Sequence, residues 1–280
     1  MTRIVRHVSE QDQWEMVHAL PDPRLDGYVI RYCDYDERTG SFVRRRELPG
    51  DRIVAIVNLG APIRVGAPGS PFATHATGFF AGLHDTYAIT ETSGAQRGVQ
   101  IDLTPVGAHL LLRLPMHHLT HQVVTLEALL DRPGAHLHEQ LADATHHAQR
   151  FAALDAFFLT RLDDALSPVP SITRALARLK ATQGAVTINA LTDELGCSRR
   201  YLNRGFQEHV GVSPKLLARI LRFNHAVALS ATMRSWAEIS QHAGYYDQAH
   251  MVRDFQQFAG APPTEFARRR LPDGGGVRSD

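Results

Sequence analysis

The sequence predicts an α+β chain in two parts. The first is a β-barrel or sandwich followed by helices, and the second is an all-α segment of two helix-turn-helix units joined by a long helix. Three observations predict this. Short β-branched and aromatic runs broken by Gly and Pro fill about 27–114. The apolar period then changes to three or four residues. Finally, the C-terminal part repeats itself.

The β-rich part contains Tyr28-Val-Ile-Arg-Tyr32, Arg52-Ile-Val-Ala-Ile-Val57, Pro62-Ile-Arg-Val65, Gly78-Phe-Phe80 and Gly98-Val-Gln-Ile-Asp-Leu103. Such short runs at turn-punctuated spacing suit antiparallel strands. Over 123–166 the sequence turns helical, with Leu137, Leu141, Ala144, Ala148, Phe151, Leu154, Phe158 and Leu162 forming one apolar stripe on a long or broken helix. That stripe either packs on the β-part or forms a dimer contact. A boundary follows at Ser167-Pro-Val-Pro-Ser171, where two prolines cannot continue a helix. The division expected is 1–166, 171–270 and a flexible tail over 271–280.

The repeat sets Ser198 to Gly211 against Asp247 to Gly260 at a constant offset of 49. Leu202 matches Met251, Arg204 matches Arg253, Phe206 matches Phe255 and Pro214 matches Pro263. Upstream the offset is 48, pairing Leu191 with Ile239 and Gly196 with Gly244. Each copy reads as helix, turn, helix. A glycine ends the first helix at a backbone angle that glycine adopts cheaply. Ser198 or Asp247 then caps the second helix, whose apolar pair four residues apart turns inward. Ser213 caps a longer helix to about Ser230, with Pro214 at its first position.

The outward face of the second helix offers Arg199, Arg200, Asn203, Arg204 and Gln207 in the first copy, and Gln248, His250, Arg253 and Gln257 in the second. Arg forks onto guanine O6 and N7, and Asn or Gln onto adenine N6 and N7, so these side chains suit major-groove readout. Charge agrees. Residues 171–280 carry 15 Lys and Arg against 9 Asp and Glu, a balance of +6, whereas 1–170 carry 15 against 20, a balance of −5, and together they give the chain's +1.

This segment resembles the DNA-binding domain of the AraC/XylS family. The resemblance rests on Gly244-Tyr-Tyr-Asp-Gln-Ala-His-Met-Val-Arg-Asp-Phe-Gln-Gln-Phe-Ala-Gly-Ala-Pro-Pro263 with Phe266 after it, and on Leu202-Asn-Arg-Gly-Phe206 followed by Gly211-Val-Ser-Pro214. It covers about 171–270 and implies a seven-helix domain whose two recognition helices enter adjacent major-groove segments. By position it assigns contacts to Arg199, Arg200, Asn203 and Arg204, then to Gln248, His250 and Arg253. Ala249 stands where some members place a polar side chain. The family also implies a cupin-like sensor or dimerisation domain in front, and the run Gln96 to Ala108 is similar to an uncharacterised N-terminal domain type of such regulators.

Composition excludes other classes. With 44% hydrophobic and 21% charged residues the chain folds as a globule, and no apolar run approaches the ~20 residues of a membrane span. Met1 to Glu10 lacks the apolar stretch of a signal peptide. Cys33 and Cys197 give neither a disulfide framework nor zinc spacing, which suits a reducing cytoplasm. Of the 16 histidines, His117, His118, His121, His136, His138, His146 and His147 fall on helical or loop segments and His75, His84 and His109 are isolated, so no metal set is expected. Neither a P-loop nor a GxSxG elbow occurs. Arg44-Arg-Arg46 reads as a solvated strand end rather than an anion site, with Glu47 partly offsetting its charge.

The expectation is a cytoplasmic, non-enzymatic, dimeric regulator that binds double-stranded promoter DNA, with no cofactor, no metal and no membrane contact. RNA polymerase is a further partner if it is an activator. A small-molecule effector is expected in the N-terminal domain. An effector-independent regulator whose N-terminal domain only dimerises is the alternative, and a cupin-type metalloenzyme fused to a DNA-binding domain the remote one.

Overall fold

The computed structural model describes residues 2–9, 12–163, 167–233, 235–269 and 277–278. Its N-terminal part is an antiparallel sheet of β1 (Thr2–Val8), β2 (Asp12–Ala19), β3 (Val29–Glu47), β4 (Ile53–Asn58), β5 (Ile63–Gly66), β6 (Ala73–His75), β7 (Gly78–Ala81), β8 (Ala88–Leu103) and β9 (Val123–Thr125). The main path runs β1-β2-β3-β8-β4-β7-β9, with β5 on β8 and β6 on β5. The two long strands β3 and β8 lie side by side, so β8 has the length to carry both β4 and β5 on its other edge.

The sheet uses both faces. Strand alternation sends Ile53, Ala55 and Val57 of β4 to one side and Ile56 to the other. The first set joins Val99, Ile101 and Leu103 in the main core under the helices. Ile56 meets Ile63, Val65 and Phe79 on the concave side. Three helices cover the first face: α1 (Pro105–Leu112), α2 (Leu126–Asp143) and α3 (His147–Asp163). Asp131 breaks the helical backbone inside α2, just before Pro133. Arg150 of α3 closes the joint with α2, donating to the carbonyls of Leu141 and Ala144 and to Asp34 of β3 at 2.7 Å.

Three boundaries differ from the sequence reading. Strands begin at Thr2 rather than near 27, because β1 and β2 form an exposed hairpin whose charged residues hide its alternation. The segment Pro105–Leu112, read as part of the β-rich 27–114, is helix α1, capped by Thr104 and buried at seven of its eight residues. Burial on all sides removes the polar face that betrays a helix. Val123–Thr125, read as helical, is strand β9, and 164–166 lie outside the described residues. The apolar stripe is spent within the chain, since Leu137, Leu141, Phe151, Leu154 and Phe158 are buried in the main core.

Among the described residues the C-terminal part has seven helices: α4 (Pro170–Ala181), α5 (Ile188–Leu195), α6 (Arg199–His209), α7 (Pro214–Leu229), α8 (Trp236–His242), α9 (Gln248–Ala259) and α10 (Pro263–Arg269). Its two units are packed differently. Leu176, Leu191, Leu202, Phe206 and Leu217 of the first unit belong to the same apolar cluster as the N-terminal sheet and helices. The second unit has its own core of Ile220, Phe223, Ile239, Met251, Phe255, Phe258 and Phe266. Helix α7 contributes to both. The expected tail, 271–280, lies outside the described residues except for β10 (Val277–Arg278), which pairs antiparallel with Arg46 and Arg45 of β3. Among the described residues no helix is long and apolar enough to cross a membrane.

Candidate nucleic-acid interface

Each unit builds its second helix in the same way. Helix α5 ends at Gly196 with φ +62°, and the turn before α9 carries Gly244 at φ +77°. A side chain is strained at such angles, which is why both copies keep glycine there. Ser198 Oγ then accepts from the Tyr201 amide at 3.1 Å, and Asp247 Oδ1 from the His250 amide at 2.7 Å. Leu202 and Phe206 of α6, like Met251 and Phe255 of α9, are fully buried against the preceding helix of their unit. Ser213 caps α7 through the Leu216 amide at 3.2 Å, with Pro214 at the first position.

Packing therefore fixes which face of each helix is left for solvent. On α6, Arg199, Arg200, Asn203, Arg204 and Gln207 are all exposed, and Arg199 hydrogen-bonds Asn189 of α5. On α9, Gln248 and Arg253 are exposed, as is Ala249 between them. His250 is half-buried with its ring edge against Tyr245, centroids 5.4 Å apart. Gln257, read as part of the outward face, is turned elsewhere. Its amide nitrogen donates to the carbonyl of Asp85 at 2.9 Å, and its oxygen accepts from Arg219 at 2.8 Å. Residue 257 sits at the far end of α9, where the helix meets the N-terminal domain.

Two aromatic residues stand beside these faces that the sequence reading passed over. Tyr246, in the turn before α9, is 95% exposed, and Tyr201 of α6 is 40% exposed with its hydroxyl 3.1 Å from Ser171 Oγ. An exposed phenol at the start of a reading helix is a donor for a phosphate oxygen. The Tyr-Tyr doublet alone does not say which phenol faces out; the structure buries Tyr245 and leaves Tyr246 in solvent.

The other candidate site is a pocket of about 580 Å³ on the concave side of the sheet. Ile56, Ile63, Val65 and Phe79 form an apolar part of its lining. Elsewhere it is lined by Arg31, Arg52, His18 and Gln100. These surround the fully buried Asp102, which accepts from Arg31 Nε and from Gln100 Nε2, each at 2.7 Å, and pairs with Arg52 Nη1 at 3.3 Å. Two guanidiniums thus share one carboxylate at this end of the pocket, whose lining also holds Arg45, paired with Glu37, and Glu47. Burial, then Arg31, lowers the pKa of His18, which keeps its ring neutral, and its Nδ1 is buried without a partner. Burial pushes the Cys33 thiol up to about 11, which leaves it an inert thiol. The arginine run is not a solvated strand end. Arg44 pairs with Glu91 at 3.5 Å, Arg45 with Glu37 at 2.7 Å, and Arg46 donates to the carbonyls of Ala259 and Gly260.

The remaining histidines are not gathered into a ligand set, and among the described residues no group of three or more His, Cys, Asp or Glu is placed to hold a metal ion. His75 is buried against Phe79, and His109 meets His209 of α6 edge to face at 4.4 Å. His109 and His84 are therefore not isolated, since His84 lies 6.0 Å from His121.

A duplicated helix-turn-helix with two polar, arginine-bearing helix faces defines a DNA-binding transcriptional regulator. Residues 191–269 match the family model described as a helix-turn-helix domain. No curated protein matches the sequence. Among solved structures, the chain is similar to unsaturated fatty acid-bound ToxT from Vibrio cholerae strain SCE256, at 9% identity and TM-score 0.48, over 86% of this chain and 95% of that one. It is also similar to ToxT from Vibrio cholerae O395 bound to (E)-4-(8-methylnaphthalen-1-yl)but-3-enoic acid, at 9% identity and TM-score 0.45, over 92% and 99%. The AraC-like transcriptional activator CuxR follows at 16% identity and TM-score 0.32, over 82% and 86%.

Proposed function

We propose that this regulator reads promoter DNA with α6 and α9, each entering a major-groove segment, and that a small molecule held in the sheet pocket adjusts its affinity. The observation that carries the DNA reading is the duplicated geometry: a capped helix, an inward apolar pair and an outward face led by Arg204 in one copy and Arg253 in the other. Arg199, Arg200, Asn203 and Gln207 complete the first face, and Gln248 and His250 the second. Phosphate contacts by arginine supply most of the affinity, and base-edge contacts the selectivity. The functional division falls at the proline segment 167–170.

An apolar surface beside Arg31 and Arg52, two guanidiniums that share the single carboxylate of Asp102, suits a small molecule with an apolar body and a single anionic group.

Gel-shift titration of the full chain against its own upstream DNA at two salt concentrations tests the first half. Specific binding that weakens with salt, and weakens again in Arg204→Ala, supports it; equal binding to unrelated DNA overturns it. For the second half, aromatic and aliphatic carboxylates are compared with their methyl esters by thermal shift. The acids are expected to stabilise wild type and not Arg31→Ala/Arg52→Ala. Stabilisation by esters and acids alike overturns the anionic assignment.

A further inference from the structure

The two helix-turn-helix units meet the N-terminal domain through the same corner of their repeat. In the first unit it is Gly211, just after α6, whose carbonyl accepts from Thr120 Oγ1 at 2.6 Å. In the second it is the equivalent Gly260, just after α9, whose carbonyl and that of Ala259 accept from Arg46 Nη1 at 3.3 and 3.2 Å. Both corners are too close for a side chain. A Cβ on Gly211 would stand 2.8 Å from Thr120 Oγ1, and one on Gly260 would stand 2.4 Å from the Tyr87 ring. The Arg46 guanidinium lies over that same ring, 4.9 Å from its centroid.

The two seats differ in what lies behind them. Behind Gly211 are Met116 and Thr120, part of a short turn that belongs to the main core. Behind Gly260 is the wall of the pocket. Strand alternation places Arg45 and Glu47 in the pocket lining and Arg46, between them, on the outside against α9. The segment between β7 and β8 is shared in the same way. Leu83, His84 and Thr86 line the pocket, while Thr86 Oγ1 donates to the carbonyl of Gln257 at 3.0 Å and the Asp85 carbonyl accepts from Gln257. Leu48 lines the pocket and packs on the second unit's core. On this side the first unit contributes a half-exposed pair, Lys180 with Asp51 at 2.8 Å, a kind of contact worth little.

We infer that the second helix-turn-helix unit, and not the first, registers what occupies the pocket, with Arg46, Thr86 and Gln257 as the positioning residues that carry the change to α9. The first unit shares a core with the N-terminal domain and stays fixed. The second has a separate core and rests on a wall one side chain thick. Displacing that wall therefore shifts α9 relative to α6, changing how both helices fit one stretch of DNA. This rests on the proposed effector pocket, but the test needs neither DNA nor a ligand.

Peptide-resolved hydrogen–deuterium exchange on the full chain compares wild type with Ile63→Trp, which puts bulk into the pocket from β5, a strand paired with β6 and β8. Exchange over 257–262 is expected to change by roughly threefold or more, while 210–213 stay as in wild type. In the reverse direction, Arg46→Ala/Gln257→Ala is expected to raise exchange over 82–88 by a similar factor, and Thr120→Val to leave it unchanged. Equal effects at both corners, or none at 257–262, overturn the inference. If Ile63→Trp does not fold, Val65→Phe poses the same question from the neighbouring lining position.

Discussion

Arg219 of α7 holds the carboxylate of Asp254 of α9 by two hydrogen bonds to Oδ1, 3.1 Å from Nε and 2.6 Å from Nη2. Asp254 is fully buried, and its repeat equivalent is Gly205, which lies against Ile172. The pair therefore exists in the second unit alone and ties its reading helix to the helix that joins the two. Removing one partner of a buried pair leaves a desolvated charge behind. Asp254→Ala is expected to lower the unfolding free energy by about 3 kcal/mol, read by urea denaturation. An unchanged midpoint would show that the pair is not structural.

The capping side chains make a second, smaller prediction. Ser198→Ala and Asp247→Ala each remove the acceptor for an orphan amide at the start of a reading helix. Each is expected to cost about 1 kcal/mol of stability in thermal unfolding. Each also frays the turn that carries its unit's contacts, so DNA affinity falls with stability rather than independently of it. Intact stability with lost affinity would point instead to direct contact by these side chains.

Tyr246 separates the two effects. It is almost fully exposed, so Tyr246→Ala is expected to leave unfolding unchanged while weakening DNA binding by about 1.5–3 kcal/mol, the worth of a hydrogen bond to a charged group. Wild-type affinity in this variant would remove Tyr246 from the interface.

Acid weakens the joint between α1 and α6. Burial, followed by the neighbouring His109, lowers the pKa of His209, while Glu208 pulls the other way. The unfolded chain then binds the proton more readily than the folded one, so stability rises with pH. His209 contributes fully above its unfolded value of roughly 6.5, and that contribution is lost as pH falls below it. His18, His75, His84 and His225 are shifted in the same direction, chiefly by burial. His209→Gln is therefore expected to flatten the fall in stability between about pH 7 and pH 5 without abolishing it. An identical slope in the variant would assign the whole effect to the other histidines.

The helix-turn-helix units were legible because what specifies them is local. Caps, turn glycines and apolar pairs lie within a dozen residues of one another, and the repeat displays each of them twice. Helix α1 was missed because it is buried on all sides and has no polar face to set its period. Gln257 reads from sequence as part of the outward face because its partner, Asp85, is 172 residues away and leaves no trace in the local pattern. The same holds for Arg46, whose run of three arginines gives no hint that one of them crosses to Ala259 and Gly260. The pocket depends on strand pairing between β3, β8, β4 and β5, so its lining is scattered over the first half of the chain.

Hydroxyl-radical footprinting of the full chain on its own upstream DNA tests the account most directly, with Arg204→Ala and Arg253→Ala alongside. Two protected segments about one helical turn, or 10 base pairs, apart are expected. Arg204→Ala should weaken protection of one and Arg253→Ala that of the other, each by about 1–3 kcal/mol. A single protected segment weakened equally by both substitutions would contradict the claim that α6 and α9 read separate stretches of DNA.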